Sequence, residues 1–226
     1  MSTIRVDLHC HTRYSFDSSM PPEVLVDRCV RRGIGALAVT EHNNIDGALA
    51  VRKIAPFKVI IAEEIKTNQG EIIGLFLNEA VPRGLTPQET VARIKSQGGL
   101  AAVPHPFDRF RGGSRLKERA LELVAGDIDI MEAFNCRTTL LRDSERAEAF
   151  GRAHGHVLGV GSDAHTPYEI GGGYVEMEDF DLRSPQEFLA KLREGTIVAK
   201  RANPLVHVPT RVVKSIRQLG RLLHRR

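Results

Sequence analysis

Val6-Asp7-Leu8-His9-Cys10-His11 closes the first predicted strand of this chain and ends it on two histidines one residue apart. Side chains two apart on a strand point the same way, so both imidazoles face one side and Cys10 faces the other. Two imidazoles offered together make half of a site for a transition metal. Further ligand-type residues then recur at later strand ends. Glu41-His42 ends Ala36-Leu37-Ala38-Val39-Thr40, and Glu63-Glu64 lies in a third strand, where alternation lets one of the two face the site. His105 follows Leu100-Ala101-Ala102-Val103-Pro104, held between Pro104 and Pro106, and Asp163 and His165 follow Val157-Leu158-Gly159-Val160-Gly161-Ser162. Falling after five separate strands, these residues fit one architecture: in a parallel sheet or barrel the strand C-termini share a rim, where residues distant in sequence meet.

The rest of the chain agrees with an α/β class. Short β-branched or apolar runs near residues 4–9, 34–40, 58–65, 71–77, 100–104, 128–134, 157–162 and 173–177 read as strands. They alternate with helical stretches at 22–32, 46–54, 87–97, 115–125, 139–154 and 185–194. Thr86-Pro87-Gln88-Glu89 and Ser184-Pro185-Gln186-Glu187 each combine an N-cap hydroxyl, a first-turn proline and a capping-box glutamate. Asn68-Gln69-Gly70 reads as a hairpin turn that makes one local antiparallel pair. His154 and His156 precede their strand and belong on the opposite rim, and His207 and His224 stand outside the pattern.

Bulk properties narrow the class. The 226 residues suit one large domain, with 42% hydrophobic and 27% charged residues and no apolar run of membrane-spanning length. No apolar leader precedes the first strand, and Cys10, Cys29 and Cys136 follow neither a zinc-ribbon nor a disulfide spacing, so a cytoplasmic location is expected. The net charge of +4 comes from the end of the chain: without Arg211, Lys214, Arg217, Arg221, Arg225 and Arg226, 26 basic residues face 28 acidic ones. The expected division is a body at 1–203 and a basic amphipathic tail at 204–226. In that tail Val212, Ile216, Leu219 and Leu223 share one helical face. The ordinary expectation is that this face packs on the body or on a second subunit, with contact to a membrane surface or nucleic acid as the alternative.

On Asp7-Leu8-His9-Cys10-His11-Thr12, Thr40-Glu41-His42-Asn43, Glu64-Ile65, Pro104-His105-Pro106 and Gly161-Ser162-Asp163-Ala164-His165, the chain resembles the PHP (polymerase and histidinol phosphatase) superfamily over about residues 4–200. The resemblance implies a distorted (β/α)7 barrel with two or three divalent metal ions, manganese, iron or zinc, at the strand C-termini. It implies that His9, His11, Glu64 and Asp163 hold one metal, that Glu64 bridges to a second held by His105, and that Asp17, His42 and His165 hold a third. Where many relatives have histidine this chain has Glu71, so Glu71, Asn135 or Cys136 completes the second site.

Clustered divalent ions suit phosphoester hydrolysis, with a metal-bridging hydroxide as the expected nucleophile. Arg109, Arg111 or Arg137 would clamp the phosphate, with Arg109 and Arg137 the substrate-binding candidates, and Asp17 or His165 would protonate the leaving oxygen. The expected substrate is a phosphorylated small molecule, a nucleotide or a short oligonucleotide, with residues 106–117 as a specificity loop. Histidinol phosphate is one alternative, and a non-catalytic metal-binding interaction module is the other.

Overall fold

The computed structural model describes residues 2–223, with side chains described through Arg217 except that of Pro204. Nine strands form one sheet: β1 (Thr3–Cys10), β2 (Ile34–His42), β3 (Lys58–Thr67), β4 (Gly70–Leu75), β5 (Leu100–Val103), β6 (Ile130–Asn135), β7 (Val157–Gly161), β8 (Gly173–Glu178) and β9 (Thr196–Ala199). Helices α1 (Pro22–Arg32), α2 (Asp46–Arg52), α3 (Pro87–Ser96), α4 (Glu118–Val124), α5 (Leu141–Ala153), α6 (Pro185–Arg193) and α7 (His207–Leu223) connect and follow them. The strand order β7-β6-β5-β4-β3-β2-β1-β8-β9 curls until the exit of β7 meets the end of β1 through a Cys10–Ala164 bridge, which leaves a nearly closed barrel.

More antiparallel pairing is present than the single expected hairpin. That hairpin is there, joining β3 and β4 across Thr67 and Gly70, but β4 also runs antiparallel to β5, and β8 runs antiparallel to both β1 and β9. A short turn accounts for the β3–β4 pair alone; the antiparallel pairs β4–β5 and β8–β9 are joined through α3 and α6, and the parallel pairs β1–β2, β2–β3, β5–β6 and β6–β7 through crossovers. The Thr86 capping box forms in full. At Ser184 only half of it forms: the hydroxyl accepts from Glu187 N, while the Glu187 carboxylate pairs with Lys191 instead.

Two apolar layers position the site. Outside the sheet, Leu37, Val39, Ile61 and Ile65 pack under Leu25 of α1, Val51 of α2 and Ile94 of α3. Inside it, Ala36 and Ala38, Ile60 and Ala62, Ile73 and Leu75, and Leu100 and Ala102 fill the barrel, with Phe188 and Leu192 of α6 joining this inner layer. Each fully buried Leu, Ile or Phe contributes about 1.5–3 kcal/mol. Along the inward face of each strand, apolar residues give way to polar ones toward the rim. Period-two alternation carries Ala36-Ala38-Thr40 up to His42, Ile60-Ala62 up to Glu64, and Ile130 up to Glu132. Because β4 runs the other way, its inward residue at the same rim is its second, Glu71.

β1 reaches the same result by breaking the alternation. Val6 and Leu8 lie in the inner layer, so strict alternation would turn His9 outward. Between the pairs Asp7–Leu37 and Cys10–Val39, however, β1 has two intervening residues against one in β2. This bulge reverses the parity, so that His9 and His11 face inward and Cys10 joins the outer layer.

Of the two ordinary expectations for the tail helix, packing of its apolar face on the body is not what the structure shows. Val212 is 51% and Ile216 63% exposed, so the described part of the apolar face does not pack on the body. The side chains of Leu219 and Leu223, and residues His224, Arg225 and Arg226, lie outside the described residues. No helix among the described residues is long and apolar enough to cross a membrane.

Candidate metal centre

His9, His11, Glu64 and Asp163 converge at the rim, all essentially shut off from solvent. His9 Nε2 lies 3.0 Å from His11 Nε2, and both nitrogens lie 3.5 Å from Glu64 Oε2. Asp163 Oδ1 is 3.6 Å from His9 Nε2 and 3.4 Å from His11 Nε2. These five separations are of the size found between neighbouring ligands of one ion held at about 2.0–2.1 Å, and His9, His11 and Glu64 offer three ligand atoms within 4.8 Å of one another, with Asp163 Oδ1 beside both imidazoles.

The hydrogen bonds around these donors test whether a metal fits. His9 Nδ1 donates to Glu132 Oε1 at 2.9 Å, which leaves its Nε2 a lone pair in the neutral ring. Ser15 donates its hydroxyl proton to Glu41 Oε2 and accepts from His42 N at 3.1 Å, so the 3.0 Å contact with His11 Nδ1 is also one it accepts. The His11 Nε2 lone pair therefore faces that of His9. One proton could bridge the pair. Burial opposes a charged His9, but Asp163, Glu132 and Glu64 outweigh it and raise the pKa well above the usual imidazole value. A single proton still leaves Asp163 Oδ1 buried without any hydrogen-bond partner. A divalent cation satisfies all four donors together, and the residues fit one.

Two further groups adjoin the first. Glu64, Glu71 and His105 offer three ligand atoms within 4.8 Å of one another, with His105 Nε2 3.0 Å from Glu64 Oε1. Burial and the Glu64 charge push the Glu71 carboxyl up, and Glu71 Oε2 lacks a hydrogen-bond partner. His11, His42 and His165 form the third group, and Asp17 bridges its outer side, with Oδ2 3.3 Å from His42 Nε2 and Oδ1 3.3 Å from His165 Nε2. Burial raises the Asp163 carboxyl, but Arg111 and His9 overcome that and hold it well below the usual carboxylate range.

The backbone at the rim is strained where it delivers these ligands: His105 has φ +32° and Asp163 φ +52°, the left-handed region that non-glycine residues avoid. Hydrogen bonds enforce the turn, with Asp163 N donating to His9 O at 2.7 Å, Ser162 N to Asp7 Oδ1 at 2.9 Å and His105 N to Glu132 Oε2 at 2.6 Å. Behind it, Gly161 leaves no room for a side chain: a Cβ there would stand 2.3 Å from both Glu132 Oε1 and His9 Cβ. Gly161→Ala is therefore expected to cost about 1–3 kcal/mol by overpacking and to weaken metal retention by displacing His9. Thermal melts and metal content after dialysis measure both effects, and wild-type values for both would contradict the close packing.

Several sequence expectations change here. Cys136 is not brought to the centre: its thiol packs against Gly173, because a side chain on this turn after β6 points between β7 and β8. Asn135 serves as a strut, with Nδ2 donating to Glu132 and Asp163 and Oδ1 accepting from Arg137 N and Arg111. Arg109 turns away to a bidentate pair with Asp143 in the first turn of α5 and lines no part of the cleft. Arg111 reaches in instead and donates to Asp163. Arg137 lines the cleft, but its guanidinium is already engaged by His165, Glu169, Val206 and Thr210. His207, set outside the pattern by its position in sequence, also lines the cleft. Glu132 was missed altogether. A lone carboxylate among the apolar residues of Ile130-Met131-Glu132-Ala133-Phe134 was the available signal.

The cleft above these groups encloses about 440 Å³. A larger hollow of about 610 Å³ opens near the other end of β7, beside Glu148, Arg152 and His156, where His156 Nε2 is 2.8 Å from Ala125 O. It brings together no set of buried ligand atoms like that at the rim.

The PHP domain family model matches residues 7–122, and a model described as PHP-associated matches residues 142–197. This chain belongs to the PHP family. Among similar sequences are two uncharacterized proteins of Methanocaldococcus jannaschii. MJ1587 is 40% identical over 145 residues, covering 58% of this chain and 82% of its own length. MJ0417 is 33% identical over 201 residues, covering 85% of this chain and 81% of its own length. A two-domain protein from Bacteroides vulgatus that contains a predicted PHP-like metal-dependent phosphoesterase superposes with a TM-score of 0.71 at 18% identity, over 92% of this chain and 69% of that one. The lesion-specific endonuclease EndoQ of Pyrococcus furiosus superposes with a TM-score of 0.60 at 17% identity, over 87% of this chain and 58% of that one. At such identities the superpositions show the PHP fold alone. Membership in the PHP family supports a metal-dependent hydrolase.

Proposed function

We propose that the protein hydrolyses phosphoester bonds of a phosphorylated small molecule or nucleotide, using divalent metal held by the rim residues. The observation that carries this reading is the buried cluster in which His9 Nε2, His11 Nε2 and Glu64 Oε2 come within 4.8 Å of one another, with Asp163 Oδ1 beside both imidazoles and left without a hydrogen-bond partner. His9, His11, Glu64 and Asp163 would hold one ion, Glu64, Glu71 and His105 a second, and Asp17, His42 and His165 a third. Divalent ions there supply an acidified water and neutralise phosphate oxygens.

The chain's own groups do the remainder. Glu132 fixes the ring of His9 and, through the His105 amide, the backbone of a second ligand. Ser15 and Glu41 fix His11 in the same way. Burial raises the Asp17 carboxyl, but His165 and His42 overcome that and keep it ionised, so Asp17 orients His165, 3.3 Å away, which is the group placed to return a proton to the leaving oxygen. Arg111 lines the cleft and, paired with Asp163 and Asp108, holds the Asp163 carboxylate in place. A cleft of this size suits a drug-sized ligand.

A nucleic-acid substrate is the second reading, favoured by the likeness to the EndoQ structure bound to duplex DNA with an abasic lesion.

The test is a chelated protein reloaded separately with manganese, iron and zinc, and assayed on aryl phosphomonoesters, phosphodiesters, nucleotides and oligonucleotides. Turnover is expected to vanish on chelation and to return with at least one metal. Turnover that survives chelation, or reloaded protein with none on any ester, overturns the reading.

A further inference from the structure

The tail helix α7 lies on the cleft with its polar side inward. His207, Thr210, Arg211 and Lys214 line the cleft together with one apolar residue, the half-exposed Val208, while the apolar Val212 and Ile216 face away. Hydrophobic burial is therefore not what docks this helix. Hydrogen bonds do: Arg137 Nη2 donates to Val206 O at 2.8 Å and to Thr210 Oγ1 at 2.6 Å, and Arg217 donates to the carbonyls of Ser15 and Arg13. Arg137 also reaches His165 Nδ1 at 2.7 Å, and the Arg13–Ser15 segment lies between His11 and Asp17, so α7 is tied directly to the loops that carry the candidate ligands.

Arg211 and Lys214 take no part in this docking. Among the described residues neither has a carboxylate or hydrogen-bonding partner, and Lys214 holds its Nζ over the Phe16 ring, 5.3 Å from the centroid. Phe16 in turn stacks on His42 with centroids 4.6 Å apart. Lys214 thus stands one aromatic ring from the metal centre. Arg111, the cation beside the centre, is already balanced by Asp163 and Asp108, so it does not duplicate the outer pair. Both side chains are solvent-exposed, three residues apart on one helix face, and line the cleft that would hold a phosphoester, so a phosphate between them meets two positive charges at once.

We propose that Arg211 and Lys214 form a subsite for a second phosphate of the substrate, beyond the one held at the metal centre. This rests on the phosphoester reading for the occupant of the centre. Lysine supplies a point charge and arginine a bidentate fork, a pairing suited to a phosphate. α7 would then select esters that carry two phosphates over simple monoesters.

The test is calorimetric titration of the full-length, manganese-loaded protein with inorganic phosphate and with a propylene-bridged diphosphonate that cannot be hydrolysed, with metal content checked afterwards. Wild-type protein is expected to favour the diphosphonate by at least about tenfold. The double variant R211Q/K214Q is expected to bring it close to phosphate. The double variant R152Q/R193Q removes the same charge beside the hollow at the other end of β7 and is expected to keep the preference. A preference absent from wild type, unchanged in R211Q/K214Q, or lost equally in R152Q/R193Q overturns the subsite. Turnover of aryl phosphates, assayed in parallel, separates the two claims. Turnover without a diphosphonate preference removes the subsite alone, and a preference abolished by R211Q/K214Q without any turnover removes the phosphoesterase and leaves the subsite standing.

Discussion

Asp163→Asn is expected to lower metal affinity at the centre by on the order of 100-fold or more and to abolish turnover, because it removes the negative charge from a proposed ligand position. Asp163 uses its two oxygens differently. Oδ2 accepts from Arg111 and Asn135, while Oδ1 has no hydrogen-bond partner and points at His9 and His11. Asparagine keeps the shape and can still accept from Arg111, but it presents an uncharged amide donor to the two imidazole lone pairs. Asp163→Ala should lose the metal as completely and also destabilise the protein, since the Arg111 charge would lose a buried partner. Metal content after dialysis, turnover and thermal melts of both variants separate the two effects. Full metal stoichiometry with wild-type turnover in Asp163→Asn would remove Asp163 from the ligand set.

The second large effect is expected at a residue that would touch no metal. Glu132 accepts from His9 Nδ1 through one oxygen, and from the His105 amide and Asn135 through the other. Glu132→Gln keeps the volume, but its amide must turn an N–H toward either the His9 ring or the His105 backbone, both of which donate. One of the two bonds is lost. Loss of such an orienting partner typically weakens metal binding by about 10–100-fold. Here two ligands depend on it, so the upper part of that range is expected, together with a release of the His9 tautomer visible in imidazole nitrogen NMR shifts. Wild-type affinity with an unchanged His9 Nδ1 signal would show that His9 is held by packing alone.

Most of the barrel and most of the rim were legible because both follow short-range rules. Alternation in Ala36-Leu37-Ala38-Val39-Thr40-Glu41-His42 separates the helix-facing side from the inward one, and ends on a ligand-type residue. Thr86 announces its helix by chemistry confined to four residues. The hairpin at Asn68-Gln69 is local in the same sense. Arg109 and Arg111 show the limit of such rules. They stand two apart in one loop and look interchangeable in the chain, yet Asp143, 34 residues away, takes the first, and Asp163, 52 away, takes the second. Within the loop only Asp108, which pairs with Arg111, separates the two, and the partners that decide their directions lie far along the chain.

Residue type and strand register were enough to place ligand-type side chains at successive strand ends, since each depends only on neighbours along the chain. Three matters waited on the folded molecule. One is the bulge that turns His9 and His11 into the barrel, because parity depends on how β1 pairs with β2. Another is Glu132, whose role exists only where β6 passes beneath both His9 and His105. The last is the orientation of α7: its apolar stripe alone argues for packing on the body, whereas the hydrogen bonds from Arg137 and Arg217 turn its cations to the cleft. Each is a contact between segments far apart in sequence, and geometry of that kind arises only when the chain closes on itself.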